Sequence, residues 1–323
     1  MSASATAVQG AVTVRAAKLR LRLLPMLACL AVLLVAGCGG GSGGSGAGRL
    51  RVVATTTAVQ DFVRVIGGDK VAMTGILKPN VSAHEYEPSP ADINAIARAD
   101  LVVANGAGLE TWLGDTIKSA GYTGTVVDTS KGVRLRQGEG EEKGGVDPHI
   151  WHDPRNAKVM VRNIAAAFEA ADPGDAATFR ANLDAYSAKL DTLDASIARR
   201  IDSLANRKLV TDHDAFGYYA DRYGLVVVGS VIPSFDSNSE LSGADLRTLV
   251  AKVEAERVKA IFSEAELPPK TAATVAREAG VEVVGGEEAL YGDGLGPPGS
   301  PGATYLGMME HNTDTIVSAL SGA

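Results

Sequence analysis

The sequence predicts an α/β protein of two Rossmann-like lobes with parallel sheets, joined by one long rigid helix. Three observations lead there. Short β-branched runs alternate with helical patterns between residues 51 and 127, and the alternation repeats between 208 and 284. Strands alternating with helices are the pattern of parallel sheets. Between the two sets runs an apolar stripe at spacings of three and four: Phe179, Leu183, Tyr186, Leu190, Leu193, Ile197, Ile201 and Leu204. No glycine or proline interrupts it.

Residues 1–37 stand apart from this fold. Arg15, Lys18, Arg20 and Arg22 precede an apolar run from Leu23 to Ala36 that is broken only by Pro25. The run is too short to span a bilayer comfortably and has the layout of a secretory signal. It ends in Val35-Ala36-Gly37-Cys38, which resembles the lipobox of bacterial lipoproteins. That resemblance implies cleavage before Cys38 and lipidation of the new terminal cysteine. The glycine-serine stretch up to residue 48 then reads as a flexible tether, which an anchored globular domain needs. Cys29 leaves with the signal, so the mature domain holds no free thiol, and a metal site there must use histidine and carboxylate. Without the four signal cations, Lys+Arg falls from 31 to 27 against 38 acids, and the net charge moves from −7 to −11. An acidic surface without a nucleic-acid motif argues against nucleic-acid partners.

The first lobe, residues 49–172, carries expected strands at 51–54, 71–77, 101–104 and 125–127. Ser89-Pro90-Ala91-Asp92 marks a helix start, with serine at the cap, proline at the first position and an acid at the third. The linking segment, 173–206, opens with Asp172-Pro173 and predicts a helix of about 30 residues, roughly 45 Å long. A stripe of only about four heptads between globular flanks favours a strut over a coiled coil. The second lobe, 207–323, carries strands at 208–211, 225–228, 260–263 and 281–284, and Ser242-Gly243-Ala244-Asp245 repeats the cap signature.

Three segments concentrate the histidines. His84 lies in a loop at a strand's carboxyl end, where α/β sheets bind ligands. Glu85 and Glu87 are near enough to fix its tautomer. In Asp147-Pro148-His149-Ile150-Trp151-His152-Asp153-Pro154 the prolines oppose a regular helix. One of the two histidines then points inward, the other standing behind it or at the surface, with Trp151 as a buried wall. His213 follows a strand that runs directly into a helix. A helix start disfavours the imidazolium and suits a neutral ligand. Asp212 or Asp214 are alternatives as plain N-caps.

These segments together resemble the zinc/manganese receptor family of ABC-transporter substrate-binding proteins. The likeness covers essentially all of the chain after the tether. It runs in order through Val53-Ala54-Thr55-Thr56, the H-E-Y-E-P-S-P of His84, and Ala99-Asp100-Leu101-Val102-Val103-Ala104-Asn105-Gly106. It continues through the His149 segment, H-D-A-F-G-Y-Y from His213, Ile261-Phe262-Ser263-Glu264 and Tyr305-Leu306-Gly307-Met308-Met309-Glu310-His311-Asn312. The resemblance implies a metal receptor rather than an enzyme, with the ion in the interlobe cleft. It carries the ligands over as His84, His149 and His213. The fourth, Asp293, lies in a glycine-rich loop and has Glu264, Glu287 and Glu288 as rivals. Glu85, Glu87, His152, Asp212 and Glu264 are expected behind the ligands, and His311 at the surface. Four protein ligands leave no position for an activated water, which favours transport over hydrolysis. The implied partners are an ABC permease and its ATPase, served by a monomer anchored through Cys38 outside the cytoplasm.

Three imidazoles and one carboxylate suit tetrahedral Zn2+, whereas Mn2+ prefers more oxygen. Manganese receptors of the family often have a carboxylate where His213 stands. Its zinc receptors often carry a histidine-rich loop before the second ligand, and here residues 136–145 contain none and are acidic. Such a loop would collect cations only weakly. Zinc is the first expectation and manganese the alternative. A secreted zinc hydrolase would need a vacant coordination position and a base, and H-E-x-x-H is absent. An adhesin-type lipoprotein would need no buried site. A stiff linking helix predicts small loop or lobe shifts rather than wide closure.

Overall fold

The structure, a computed structural model, describes residues 48–84, 86–138, 144–237, 239 and 242–321. The signal, Cys38, the tether up to residue 47, Glu85 and the acidic stretch 139–143 lie outside the described residues. The described residues pack as one compact unit that contains both lobes.

The first lobe alternates β1 (Leu50–Ala54), α1 (Thr57–Gly67), β2 (Val71–Gly75), α2 (Pro90–Ala97), β3 (Leu101–Ala104), α3 (Leu113–Ser119) and β4 (Thr125–Asp128). Its sheet is parallel in the order β2-β1-β3-β4. All four residues of β3 are buried, as expected of a parallel strand covered on both faces. A 3-10 turn, Ile150–His152, leads into α4 (Pro154–Ala171). The second lobe repeats the plan with β5 (Lys208–His213), α6 (Gly217–Tyr223), β6 (Val226–Ile232), α7 (Gly243–Ala255), β7 (Ala260–Phe262), α8 (Lys270–Ala279) and β8 (Glu282–Val284). Its parallel order is β6-β5-β7-β8. Every expected strand is present, with ends moved by a few residues. The capping boxes at Ser89–Asp92 and Ser242–Asp245 both form.

The linking helix α5 spans Ala176–Asp202, 27 residues and about 40 Å. It begins later than Asp172-Pro173 suggests, because Asp172 closes α4 with its own N–H on the Phe168 carbonyl. The Asp172 carboxylate then accepts from Gly174 N at 3.1 Å, shaping a turn before the helix. The buried face of α5 holds Phe179, Tyr186, Leu190, Leu193, Ile197 and Ile201, all members of the predicted stripe.

The C-terminal helix α9 (Tyr305–Ser321) is a second brace. Tyr305 N donates to Asp61 Oδ2 in α1 at 3.0 Å, and its hydroxyl donates to the Trp151 carbonyl at 2.7 Å. Further along, the Thr313 hydroxyl lies 2.7 Å from that of Tyr219 in α6. One buried apolar cluster accordingly runs through both lobes, α5 and α9, and a smaller one lies inside the second lobe under α7 and α8. In each sheet the chain changes direction between the two central strands. The loops at the strands' carboxyl ends there define a crevice suited to a ligand.

Candidate metal centre

Four loops converge on that crevice. His84 follows β2, His149 follows β4, His213 is the last residue of β5, and Asp293 follows β8. The His84 loop is fastened by Trp112, whose indole N–H donates to the Ala83 carbonyl at 3.0 Å, and by His84 N donating to Ser82 Oγ at 3.3 Å. The Asp293 loop is pinned where Leu290 N donates to the Ser263 carbonyl at 2.9 Å and Ala265 N to the Leu290 carbonyl at 2.8 Å.

The structure brings His84, His149, His213 and Asp293 together, with one ligand atom from each within 4.8 Å of the others. Asp293 Oδ1 lies 3.0 Å from His213 Nε2, 3.4 Å from His149 Nε2 and 3.7 Å from His84 Nε2. The His84 and His149 Nε2 atoms are 3.3 Å apart. A tetrahedron with bonds of about 2.0–2.1 Å to a central ion has edges of about 3.3 Å, so these separations frame a cavity of that size. His149, His213 and Asp293 are buried, and His84 is half-buried at the mouth.

The far side of each buried imidazole is also controlled. His149 Nδ1 lies 2.9 Å from Asp147 Oδ1, and a carboxylate only accepts, so Nδ1 carries the proton and Nε2 turns its lone pair inward. His213 Nδ1 lies 2.7 Å from Glu264 Oε2, in contact but out of line for a directed hydrogen bond. Glu264 Oε1 accepts from His213 N at 2.9 Å, and Asp212 Oδ2 accepts from Glu264 N at 2.8 Å. Burial alone would lower the His213 and His149 pKa values. Glu264 and Asp293 nevertheless hold His213 well above the ordinary imidazole value, and Asp147 and Asp293 raise His149. Burial alone would raise Asp293, yet His213, His149 and His84 keep it well below the usual carboxylate value. Asp212 is pushed up to about 7 by burial and by Glu264.

Several sequence expectations change. His213 ends a strand; α6 begins only at Gly217 with Phe216 at its cap, so neither Asp212 nor Asp214 caps it. The carboxylates around His213, not a helix dipole, govern its charge, and they favour the imidazolium. Glu287 and Glu288 are exposed in a 3-10 turn, and Glu264 stands behind His213. Asp293 is thus the carboxylate at the centre of the cluster. Glu87 is exposed, outside the buried cluster. His311 is buried instead of superficial, with Nε2 2.9 Å from the Ala289 carbonyl. His152 is fully buried and reaches across to the other lobe, where its Nε2 lies 2.9 Å from the Gly292 carbonyl.

Sequence reasoning missed Asp147, Ser237 and Glu266. Asp147 had a signal, two residues before His149 in a tight turn. Ser237 donates to Asp293 Oδ2 at 2.9 Å from a distant loop, and nothing local marked it. Glu266 approaches the Gly292 amide at 3.4 Å and is pushed up to about 8 by burial, Asp293 and Glu264.

Comparison with known proteins agrees with the two-lobe fold. The zinc-binding protein TroA of Treponema pallidum is 34% identical over 280 residues, 85% of this chain and 90% of that protein. Its solved structure superposes with a TM-score of 0.77 at 31% identity, over 85% of this chain and all of that one. The iron ABC transporter substrate-binding lipoprotein MtsA of Streptococcus pyogenes is 31% identical, with 90% of this chain and 94% of that protein covered. The manganese ABC transporter substrate-binding lipoprotein PsaA of Streptococcus mitis is also 31% identical, covering 90% and 95%. The model for the zinc-uptake complex component A, periplasmic, family matches residues 52–319, from β1 into α9 and through all four histidine- and aspartate-bearing loops. With the fold, the order of motifs and that span in agreement, the chain belongs to this family of transport components.

Proposed function

We propose that this protein is an extracytoplasmic receptor that captures a divalent transition metal, zinc first, through His84, His149, His213 and Asp293 and hands it to an ABC permease driven by its ATPase. The observation that carries the reading is the convergence of three Nε2 atoms and one carboxylate oxygen at 3.0–3.7 Å from loops of both lobes. Three nitrogens and one oxygen favour zinc over manganese, which takes more oxygen ligands. The enclosed set offers no place for a reactive water, in keeping with a carrier rather than a hydrolase. Glu264 and Asp147 stiffen the imidazoles from behind and raise their basicity.

Manganese is the second reading, supported by the 31% identity to a manganese substrate-binding lipoprotein. The lipobox-like segment before Cys38 supports a lipid anchor, and the domain is proposed to work as a monomer on the outer side of the membrane. Competition titration of the purified mature domain with zinc and manganese at matched free concentrations tests the assignment. Zinc is expected to displace manganese, and His213→Ala to abolish tight binding of both. A manganese preference in the unaltered protein would overturn the zinc reading. Tight binding that survives joint loss of His84, His149 and His213 would overturn the site itself.

A further inference from the structure

Asp293 presents its two oxygens to different surroundings. Oδ1 faces the three imidazoles, whereas Oδ2 lies 2.9 Å from Ser237 Oγ. Ser237 is buried, on the loop between β6 and α7, and its hydroxyl also lies 3.0 Å from Ser82 Oγ. Ser237 has one proton to give, and the carboxylate can only accept. The proton therefore goes to Asp293, and the Ser82 hydroxyl supplies the second bond. Ser82 in turn accepts from the His84 amide at 3.3 Å. A relay of two hydroxyls thus runs from the backbone of one ligand, in the first lobe, to the carboxylate of another, in the second.

We propose that Ser237 is a specificity-determining positioning residue, which occupies Asp293 Oδ2 and so holds the carboxylate to one metal bond. This rests on the reading of the cluster as the metal site. A carboxylate free at both oxygens can chelate, adding a fifth ligand and serving ions that prefer more oxygen. A carboxylate held at Oδ2 supplies Oδ1 alone and keeps the set at four, the number zinc favours. Two features oppose slippage of Asp293 between these states. His152 holds the Gly292 carbonyl at 2.9 Å on one side of the loop. On the other, there is no free room at Gly292 itself, where a Cβ would stand 1.9 Å from Glu264 Oε2 and 3.1 Å from His213 Cε1. The loop is fixed at its backbone, and the remaining freedom, rotation of the carboxylate, is what Ser237 restrains.

The test compares unaltered protein, Ser237→Ala and Ser237→Thr, each loaded separately with zinc, manganese and cobalt. Ser237→Ala is expected to lower the zinc-to-manganese affinity ratio by about 10- to 100-fold, the usual scale for loss of a group that orients a ligand. Its cobalt form should lose the intense visible bands of four-coordination for the weaker bands of a higher coordination number. Ser237→Thr, which keeps the hydroxyl, should restore both. A merely structural role would lower the melting temperature of the metal-free protein and leave ratio and spectrum alone. An unchanged ratio and spectrum in Ser237→Ala, or equal changes in Ser237→Thr, would overturn the assignment. Should the unaltered protein prefer manganese, the zinc reading fails separately, and the cobalt comparison still decides the role of Ser237.

Discussion

His149 and His152 share one turn, yet their rings do opposite work. Asp147 takes the Nδ1 proton of His149 and leaves Nε2 facing the cluster. In His152 it is Nε2 that faces a carbonyl, so the proton sits there and the ring spans the lobes as a neutral donor. Burial, then the neighbouring His149, pushes the His152 pKa down to about 3. An unfolded imidazole takes its proton near pH 6.5, so the unfolded chain binds more protons between about 6.5 and 3. Stability contributed by neutral His152 is therefore present above that window and lost as pH falls through it. His152→Gln can keep a donor without a titrating ring. It is expected to unfold at lower pH than the unaltered protein while retaining most metal affinity, read by circular dichroism and metal titration. His152→Ala, which strands the Gly292 carbonyl and empties space beside Phe216 and Trp151, should cost about 3 kcal/mol and weaken metal binding. The sequence showed an unusual second histidine but not its direction, because the Gly292 carbonyl lies 140 residues away. Ser237 was invisible for the same reason, since a serine's role comes from what the fold sets beside it.

At the scale of elements, α2 connects helix stability to ligand placement. Asp92 Oδ2 accepts from Ser89 N at 2.8 Å, from Ser89 Oγ at 2.7 Å and from Tyr86 OH at 2.8 Å. The first two bonds belong to the helix start; the third ties it to the segment just beyond His84. Ser89→Ala should cost about 1 kcal/mol as a lost N-cap. Tyr86→Phe leaves the capping box intact and frees the loop, so it should lower metal affinity with little loss of melting temperature. The reverse ranking, with Ser89→Ala weakening binding more than Tyr86→Phe, would show that the helix rather than the tyrosine positions His84. The helix start was legible, since Ser89, Pro90 and Asp92 act within one turn. The eight strands were legible too, because β-branched runs alternate with helical patterns, although only β1, β3, β5 and β7 are mostly buried and the edge strands are partly exposed. The exact start of α5 was not, since Asp172 serves both as the end of α4 and as the acceptor of a turn.

The whole molecule is braced across its cleft at more points than the linking helix alone provides. Besides α5, the lobes are joined by Leu295 N donating to Thr57 Oγ1 at 2.7 Å, and by Tyr218, whose hydroxyl donates to the Asp147 carbonyl at 2.9 Å. Arg136 adds a pair with Asp221 at 3.1 Å while also lying 3.4 Å from Asp147, the partner of His149. Tyr305 and Trp151 carry the shared apolar cluster between them. Wide hinge opening would expose that cluster and break these bonds together, whereas displacement of the His84 and Ser237 loops breaks only contacts around the metal cluster and leaves the Leu295–Thr57 bond in place. Metal release is therefore expected to proceed by loop movement. Small-angle scattering of the mature domain should give a radius of gyration near 19 Å, altered by less than about 1 Å between zinc-loaded and metal-stripped protein. Hydrogen exchange should differ at residues 79–84 and 233–237 and stay unchanged along α5 and α9. A larger change in radius, or faster exchange along α5 on metal removal, would show that the lobes themselves swing and that the double brace yields.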